Sequence, residues 1–380
     1  METKKYRFDE VTINFDKKRI PLSSAQREKR QGTFRYYGAQ GVIDHVDDYI
    51  FDGTYLLIAE DGENLKSKKQ NIAQVVDGQF WVNNHAHIVQ GNERCDTRFL
   101  CYLINSMDLS GYVTGSAQPK LSQANLNAIT LSLPTLVEQK RIVEYLYMLD
   151  QKIDVNRQIN DNLEQQAQSY FQELFVDNAS PEWTTGTISD LGTVVGGSTP
   201  SKAKPEYYTE SGIAWITPKD LSINKSKFVS HGENDITELG LRNSSASLMP
   251  EGTVLFSSRA PIGYIAIAAG EVTTNQGFKS VVPKPEIGTP FVYFFLKNTL
   301  PVIEGMASGS TFKEVSGSTM KNVSAVIPDA ETLAKFSDFC APIFAQQRIL
   351  EEQNQSLATL RDNLLPKLMS GEIDVSAVLL

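Results

Sequence analysis

The segment Pro134–Phe175, PTLVEQKRIVEYLYMLDQKIDVNRQINDNLEQQAQSYFQELF, decides the fold of this chain. Its apolar residues recur in alternating steps of four and three from Ile142 onward, a pattern typical of a helix in a coiled coil. Asn156 and Asn160 occupy two positions of the same series. The pattern therefore predicts a long helix that presents one apolar seam to a partner.

A second copy of this seam follows 194 residues later, where Pro328 stands in the place of Pro134. Two copies in one chain suggest that each helix is the partner of the other. The predicted seam of the helix pair consists of Ile142, Leu146, Leu149, Ile153, Asn160, Leu163, Ile343, Leu350, Asn354, Leu357, Leu364 and Leu368. Its asparagines either fix the register as buried polar residues or lie partly exposed near the helix middle. Pro342 predicts a kink or a short break near residue 341.

The repeat extends beyond the helices. Gly115-Ser116 matches Gly309-Ser310 at the same offset, and Asn83 matches Asn275 at an offset of 192. We therefore predict an α+β fold with two similar β-rich globular domains separated by two long antiparallel coiled-coil helices, in a pseudo-twofold tandem repeat. The predicted segments are a first globular domain at 1–134, a central helical spacer at 135–178, a second globular domain at 179–328 and a C-terminal helical spacer at 329–380.

The net charge of −9 over 380 residues is concentrated on the predicted helices. Residues 135–180 and 329–380 each carry 8 acidic and 4 basic side chains, so the globular domains are close to neutral. A local basic face on each domain is compatible with DNA binding, because electrostatic attraction depends on charge within about 10 Å. Three cysteines without a CxxC pair, and no run of 18 apolar residues, favour a cytoplasmic protein that does not span a membrane.

Three motifs carry a resemblance to a known family. They are the Gly-Ser-x-x-x-x-(Leu/Val)-Ser segment before each predicted helix, WITPKDL at Trp215–Leu221 and LLPKLMSG at Leu364–Gly371. With the paired layout of the whole chain, they resemble the specificity subunit of type I restriction–modification systems. The resemblance implies two target-recognition domains, each reading one half of a bipartite site in double-stranded DNA. Residues 1–80 and 181–272 align poorly, so the two half-sites should differ in their bases.

The same resemblance implies the partners. The two helices, each about 60 Å long, would set the spacer between the half-sites and dock methyltransferase (modification) subunits, two of them. A restriction subunit is a further partner that the sequence does not require. The chain would need no cofactor and would be no enzyme, because adenine-N6 methylation and S-adenosylmethionine belong to the methyltransferase partner.

Polar residues in loops and at strand edges are the predicted DNA contacts. Arg and Lys side chains can read guanine, Asn and Gln can read adenine, and other lysines hold phosphates. In the first domain the candidates are Tyr36, Tyr37, Gln40, Lys66, Lys68, Lys69, Asn84, His85, Gln118 and Lys120. In the second domain they are Lys202, Lys204, Lys219, Ser258, Arg259, Asn275, Gln276 and Lys313. The alternative for each of them is a solvated surface residue.

No catalytic or metal site is predicted. His85 and His87 could place two imidazoles on one face of a strand, but a metal site needs more ligands. Glu138-Gln139-Lys140 has the spacing of a nuclease fragment, yet it lies at a predicted helix start, where Glu138 favours the positive end of the helix. The sequence contains no glycine-rich dinucleotide or phosphate loop and no amino-methyltransferase motif.

Two other functions remain open on the sequence alone. The chain could itself be a methyltransferase or a nuclease, which methylation of DNA without any partner would establish. It could also be a protein-interaction scaffold whose two globular domains do not bind DNA. Salt-dependent binding of a reconstituted complex to a split duplex site would separate that scaffold from a DNA reader.

Overall fold

The computed structural model describes residues 2–68, 70–115, 118–309 and 313–373. Within these ranges the chain forms two compact units. The first unit comprises the described residues up to Ile153 together with those from Ser356 onward, and the second comprises Asp154–Gln355. None of the helices in the described ranges is long and apolar enough to cross a membrane.

The first unit is built on one main sheet. Its strands are Lys4–Arg7 (β1), Thr12–Asn14 (β2), Gln31–Gly38 (β3), Gly41–Val46 (β4), Phe51–Ala59 (β5), Ala73–Val82 (β6), Ala86–Gly91 (β7) and Thr130–Leu133 (β8). Its helices are Phe8–Val11 (α1), Ser24–Glu28 (α2), Asn64–Ser67 (α3), Thr97–Ser106 (α4), Gln123–Asn127 (α5) and the first part of Leu136–Gln172 (α6). The main sheet has the order β2-β7-β5-β6-β3-β4, and β1 pairs with β8. Only the β3–β6 neighbours run parallel among the pairs described in these two sheets.

Strand β5 lies inside the main sheet because its end is apolar without interruption. Leu56 and Ile58 pack with Phe99 of α4 on one face, whereas Leu57 packs with Phe80 on the other. All of these side chains are buried. A strand covered on both faces loses the alternation of polar and apolar residues, as this one does.

The second unit divides its strands among several sheets. The strands are Thr184–Thr187 (β9), Gly192–Gly196 (β10), Tyr208–Thr209 (β11), Ile213–Ile216 (β12), Phe228–Val229 (β13), Asn234–Ile236 (β14), Val254–Ser258 (β15), Ile262–Ala268 (β16), Thr273–Thr274 (β17), Lys279–Pro283 (β18) and Ser324–Ile327 (β19). The helices are Ile188–Leu191 (α7), Pro218–Ile223 (α8), Glu238–Arg242 (α9), Thr289–Gly305 (α10), Gly317–Lys321 (α11) and the first part of Ala330–Ser370 (α12). The strand orders are β10-β18-β15-β16-β13, β11-β14-β12-β17 and β9-β19.

The two units repeat the same elements at the predicted offset. Helix α5, strand β8 and the start of α6 recur 194 residues later as α11, β19 and the start of α12. The repeated Leu/Val-Ser pair explains why. Ser122 caps α5 and Ser316 caps α11 by accepting backbone N–H hydrogen bonds at 3.2 and 2.9 Å. The preceding Leu121 and Val315 are fully buried, so each pair fixes the entry into its helix.

Helices α6 and α12 begin and end at local signals in the sequence. Thr135 N–H donates to the Glu138 carboxylate at 2.9 Å at the start of α6, and Asp329 accepts an N–H at the start of α12. Helix α12 ends at Ser370, and Gly371 follows with a φ of +77°. The predicted break at Pro342 is absent, since α12 is continuous there. Pro342 is exposed, so a backbone carbonyl that loses its helical partner can bond to water instead.

In the first unit, α6 and α12 contact each other through apolar seam residues and one ion pair. Ile142, Leu146 and Leu368 are buried in one core cluster. Asp150 Oδ1 lies 2.7 Å from Arg361 Nη1. The remaining predicted seam residues of this unit are buried in the case of Ile153 and half-buried in the case of Leu149, Leu357 and Leu364.

In the second unit, the two helices run antiparallel. Asn156 Nδ2 donates to Asn354 Oδ1 at 2.9 Å, and Asn160 Nδ2 donates to the Gln347 carbonyl at 3.4 Å, so the partner's number falls as the number along α6 rises. Asn156 is fully buried, which is the register-fixing alternative for this asparagine. The predicted seam residues of this unit are buried or half-buried: Asn160, Leu163, Ile343, Leu350 and Asn354.

Candidate nucleic-acid interface

Exposed candidates of the first unit lie in loops at one edge of its main sheet. Gln40 is in the turn after β3, and Asn84 and His85 are in the turn after β6. Because β3 and β6 run parallel, the turns that follow them lie at the same edge. Gln118 and Lys120 belong to the loop that leads into α5.

Backbone hydrogen bonds join these loops at the end of β5. Glu60 N–H donates to the His85 carbonyl at 2.9 Å, and Leu121 N–H donates to the Glu60 carbonyl at 2.8 Å. Lys66 Nζ donates to the Gly115 carbonyl at 2.9 Å. We call the exposed set that shares this edge the first loop surface, and it consists of Gln40, Lys66, Asn84, His85, Gln118 and Lys120.

A half-buried carboxylate lies at the base of the first loop surface. Glu60 is 2.9 Å from Arg19 Nη1, 3.3 Å from Lys120 Nζ and 3.9 Å from His87 Nδ1. Burial by itself raises the pKa of Glu60, but the hydrogen bond from Arg19 and the nearby positive charges lower it further than burial raises it. Glu60 is therefore ionised near neutral pH and holds Lys120 by charge.

The buried His87 links the same loop to the sheet. Its Nδ1 lies 2.6 Å from Asp16 Oδ2 and its Nε2 lies 2.8 Å from the Leu121 carbonyl. Both ring nitrogens face acceptors, so the imidazolium form satisfies both. Burial lowers the pKa of His87, but the Asp16 and Leu121 hydrogen bonds outweigh it and raise the pKa. Burial raises the pKa of Asp16, and the bond with His87 and the Ile88 N–H reverse this and lower it.

Exposed candidates of the second unit lie around the equivalent strand end, that of β15. Ser258 N–H donates to the Gly277 carbonyl at 2.7 Å, and Val315 N–H donates to the Ser258 carbonyl at 3.0 Å. Asn275 Oδ1 accepts the Gly277 N–H at 2.8 Å, as Asn83 Oδ1 accepts the His85 N–H in the first unit. We call the exposed or half-buried set at this edge the second loop surface, and it consists of Lys219, Arg259, Asn275, Gln276 and Lys313.

A carboxylate also lies in the second loop surface. Glu314 Oε2 is 3.4 Å from Arg259 Nη1, and its Oε1 is 3.7 Å from Lys279 Nζ. Lys219 forms an ion pair with Glu233. The cations of this surface are therefore partly held by acidic neighbours.

Several candidates lie away from the two loop surfaces. Lys68 donates to the Met107 carbonyl at 2.9 Å, at the end of α4. Lys202 and Lys204 lie farther along the exposed loop after Ser198, where Lys204 Nζ donates to the Tyr207 hydroxyl at 3.1 Å. Lys69 lies outside the described residues.

Three candidates are buried. Tyr36 and Ser258 have no exposed surface and Tyr37 is 4% exposed. Tyr36 and Tyr37 lie on β3, between β4 and β6, and the Tyr36 hydroxyl accepts a hydrogen bond from Leu22 N–H at 2.9 Å. Side chains enclosed in this way have no surface to offer a base, so we leave these three out of the DNA contacts proposed below.

Sequence reasoning missed the residues that hold the loops. Glu60 and Arg19 lie outside the segments in which the sequence predicts DNA contacts, and Glu314 is an acid. A signal was available, because Lys120 and Glu314 occupy the same position of the repeat, 194 residues apart. A charge that reverses between two copies indicates that its partner also differs.

His85 and His87 do not lie together in a metal site. His85 Nδ1 lies 2.7 Å from Asp61, whereas His87 faces Asp16. In the part of the chain that the structure describes, no group of three His, Cys, Asp or Glu side chains is arranged to hold a metal ion.

Comparison with known families gives two successive matches. The sequence profile of the family "Type I restriction modification DNA specificity domain" matches residues 2–165 and again residues 181–360. The chain belongs to this family. The double match follows the internal repeat, so each half of the chain carries one specificity domain.

Relatives of the chain are specificity subunits. It is 38% identical over 191 residues to the type I restriction enzyme MjaIX specificity subunit of Methanocaldococcus jannaschii, which covers 48% of this chain and 44% of that protein. It is 24% identical to the HindI specificity subunit of Haemophilus influenzae, with 85% of this chain and 84% of that protein covered. The alignment with the first of these relatives thus spans less than half of its length.

A solved specificity subunit has a similar fold. The crystal structure of the S subunit of a type I restriction–modification system from M. genitalium superposes with a TM-score of 0.56. The superposition covers 97% of this chain and 96% of that one at 15% sequence identity. The fold of this chain is therefore similar to that of a solved S subunit.

Proposed function

We propose that this chain is the DNA sequence-specificity subunit of a type I restriction–modification complex and has no catalytic role of its own. The observation that carries the proposal is the repetition of one backbone arrangement with different side chains. Strands β5 and β15 end in the same pattern of hydrogen bonds, yet the first and second loop surfaces differ at almost every polar position. Such a pair suits a bipartite site whose halves have different bases.

Each loop surface contains the side-chain types that DNA recognition uses. Gln118 and Asn84 in the first, and Asn275 and Gln276 in the second, can form paired hydrogen bonds with adenine. Lysines and Arg259 can hold phosphates or read guanine. Most affinity would come from phosphate contacts and would fall with salt.

The two helices provide the spacer in this proposal. Helix α6 has 37 residues and α12 has 41, which makes them about 55 and 60 Å long. The segments 135–180 and 329–380, which contain these helices, carry most of the net negative charge of the chain, so they suit a protein partner better than DNA. We assign the segments 135–178 and 329–380 to the spacer, and 1–134 and 179–328 to target recognition.

The partners in this proposal are double-stranded DNA and two methyltransferase subunits. S-adenosylmethionine binds to the methyltransferase, which flips and methylates adenine. A restriction subunit is an additional partner. No residue of this chain is assigned to catalysis.

Reconstitution with the methyltransferase subunit tests the proposal. The complex should bind and methylate one bipartite duplex, with affinity that decreases as salt increases. The chain without a partner should not methylate DNA. Methylation by the isolated chain would establish an enzyme instead, and a complex that binds no duplex selectively would favour the protein scaffold.

The spacer role has its own test. Removal of residues 156–162 together with 350–356 deletes paired layers, because Asn156 bonds to Asn354. The double deletion should shorten the spacer of the methylated motif, since about 10 Å of helix is lost. Deletion of 156–162 alone shifts the register and should weaken the complex instead. An unchanged spacer after the double deletion contradicts the role of the helices.

A further inference from the structure

Backbone hydrogen bonds pair the described ends of the loops that lead into α5 and α11 in the same way. In the first unit, Thr114 and Lys120 exchange backbone hydrogen bonds of 2.9 and 2.8 Å. In the second unit, Ser308 and Glu314 do so at 3.1 and 2.9 Å. Lys120 and Glu314 are therefore structurally equivalent as well as 194 residues apart.

The charges at these equivalent positions are reversed. In the first unit the loop supplies the cation, Lys120, and the strand end supplies the carboxylate, Glu60. In the second unit the loop supplies the carboxylate, Glu314, and the cation is Arg259, directly after the strand. In each unit an ion pair thus bridges the loop and the strand end, and the two units place the cation and the carboxylate on opposite sides of it.

Glu314 lies in the proposed DNA-binding surface, where a carboxylate is unfavourable for binding. A carboxylate near the phosphates repels them and lowers affinity for any duplex. Its two basic neighbours, Arg259 at 3.4 Å and Lys279 at 3.7 Å, give it another role, that of fixing the direction of these cations. A free Arg side chain has many rotamers, and holding it in one reduces the entropy lost on binding.

We propose that Glu314 is a positioning residue that holds Arg259, and with it the backbone bond between Val315 and Ser258, in the arrangement needed for sequence-specific contact with DNA. In the first unit the carboxylate again positions the cation, but it lies at the strand end: Glu60 holds the loop residue Lys120. The inference rests on the proposed function and extends it to acidic residues. It also implies that the loops cannot be exchanged between the units. Lys120 would then face Arg259, and Glu314 would face Glu60, so like charges would repel.

The test uses Glu314→Gln in the complex with the methyltransferase. If Glu314 only repels phosphates, its neutralisation strengthens binding to every duplex. If it positions Arg259, binding to the cognate duplex weakens about tenfold, which is within the contribution of one good contact. Binding to a non-cognate duplex should stay equal or become tighter, so the ratio of the two affinities is the readout.

The substitution Glu314→Gln should change the stability of the fold too little to affect the measured affinities. Arg259 and Glu314 are each 36% exposed, and ion pairs of this kind contribute less than about 1 kcal/mol to stability. A melting curve of each variant checks this. The matched control is Glu238→Gln, which neutralises the partner of Arg242 on α9, 3.9 Å away and outside the second loop surface, and should leave the affinity ratio unchanged.

A charge exchange checks the loop directly. Arg259→Glu with Glu314→Arg gives the second unit the polarity that the first unit has. The exchange of the Val315 amide hydrogen should become faster in Glu314→Gln and return to the wild-type rate in the double variant, because that amide bonds to Ser258 across the two loops. Selectivity should not return, since Arg259 itself is lost.

The outcomes separate the inference from the proposed function. A wild-type complex without sequence selectivity overturns the proposed function. A selective wild-type complex whose Glu314→Gln variant keeps the same affinity ratio, or gains affinity for the cognate duplex, overturns only the positioning role.

Discussion

At one pair of equivalent positions, the first unit carries charges and the second carries apolar side chains. Asp150 and Arg361 form an ion pair between the helices of the first unit. The positions 194 residues away, Phe344 and Ala167, are buried in the core of the second unit. Contact at equivalent positions of the two helices can therefore be made by a partly exposed ion pair or by packing of apolar side chains.

The second unit buries its charges elsewhere. Lys227 Nζ lies 2.8 Å from Glu164, and it also lies 3.4 Å from the centre of the Phe344 ring. Burial raises the pKa of Glu164, but the charges of Lys227 and Lys297 reverse this and hold it at about 2. Phe344, which stands where the first unit has Asp150, thus provides one wall of the pocket around the buried Lys227.

The difference between the units teaches that their shared fold lies in backbone and apolar positions, while polar contacts were free to change. Arg361 is 24% exposed and its pair contributes little, whereas Lys227 is 7% exposed and its loss leaves a carboxylate without its main partner. The two junctions should therefore respond very differently to the same kind of substitution.

The largest effect is expected for Lys227→Ala. The substitution leaves Glu164 half-buried with Lys297 as its remaining cation and opens space beside Phe344, so the free energy of unfolding should fall by about 3–5 kcal/mol. Chemical denaturation of the purified chain measures it. Replacing both partners, Lys227→Met with Glu164→Leu, should recover a large part of the loss. A single variant that loses less than about 1 kcal/mol contradicts a buried pair.

The pH response should also differ between the units. The folded pKa of Glu164, about 2, lies below its ordinary value, so its stabilisation is present above about pH 4.5 and is lost as the pH falls toward 2. The loss is at most about 3 kcal/mol. The raised pKa of His87 gives the first unit a stabilisation that is present below about pH 6.5 and is lost as the pH rises through the folded value.

The alkaline side separates the two units most clearly. Fluorotryptophan signals from Trp81 in the first unit and Trp215 in the second can follow each unit during denaturation. Between pH 6 and pH 9 the Trp81 transition should move to lower denaturant, and His87→Gln should remove that dependence. An equal dependence in the variant would show that His87, between Asp16 and Glu60, is not its source.

A smaller effect is expected in the seam of the second unit. Asn156→Leu removes the amide that bonds to Asn354 and should cost about 1–2 kcal/mol, because Asn354 is left half-buried without this partner. The double variant with Asn354→Leu should be at least as stable as the wild type. Thermal unfolding of the three proteins distinguishes them, and additive losses would show that the two asparagines do not act as a pair.

The smallest effect is expected for Arg361→Ala in the first unit. Its ion pair with Asp150 is partly exposed, so the free energy of unfolding should change by about 1 kcal/mol or less. Moderate salt should reduce the difference further. A loss as large as that of Lys227→Ala would remove the contrast between the two junctions.

Local sequence signals were enough for the repeat and the helices. The 3.5-residue period, the Leu/Val-Ser pairs and Ser370-Gly371 act over a few residues, and each is found where its pattern placed it. Of the kink or break predicted at Pro342, the break is wrong, because α12 continues through this exposed proline.

The loop surfaces were harder to predict because their partners are distant in sequence. The sequence predicts Tyr36 and Tyr37 among the loop and strand-edge contacts, yet the parallel pairing of β3 with β6, about 45 residues away, buries them. Lys227 gives no local sign that Glu164 will meet it. Ion pairs such as Glu314 with Arg259 depend on which loops contact each other in the folded chain. In the sequence, only the difference between Lys120 and Glu314 at one position of the repeat indicates them.

The most direct test of the central claim is sequencing of methylated adenines in a cell that carries this chain with its methyltransferase partner, in parallel with a cell that carries Glu314→Gln. We predict one bipartite motif with two different half-sites, and in the variant a loss of selectivity confined to one of them. A continuous motif, a single half-site or methylation independent of this chain would contradict two domains that each read one half of a split site.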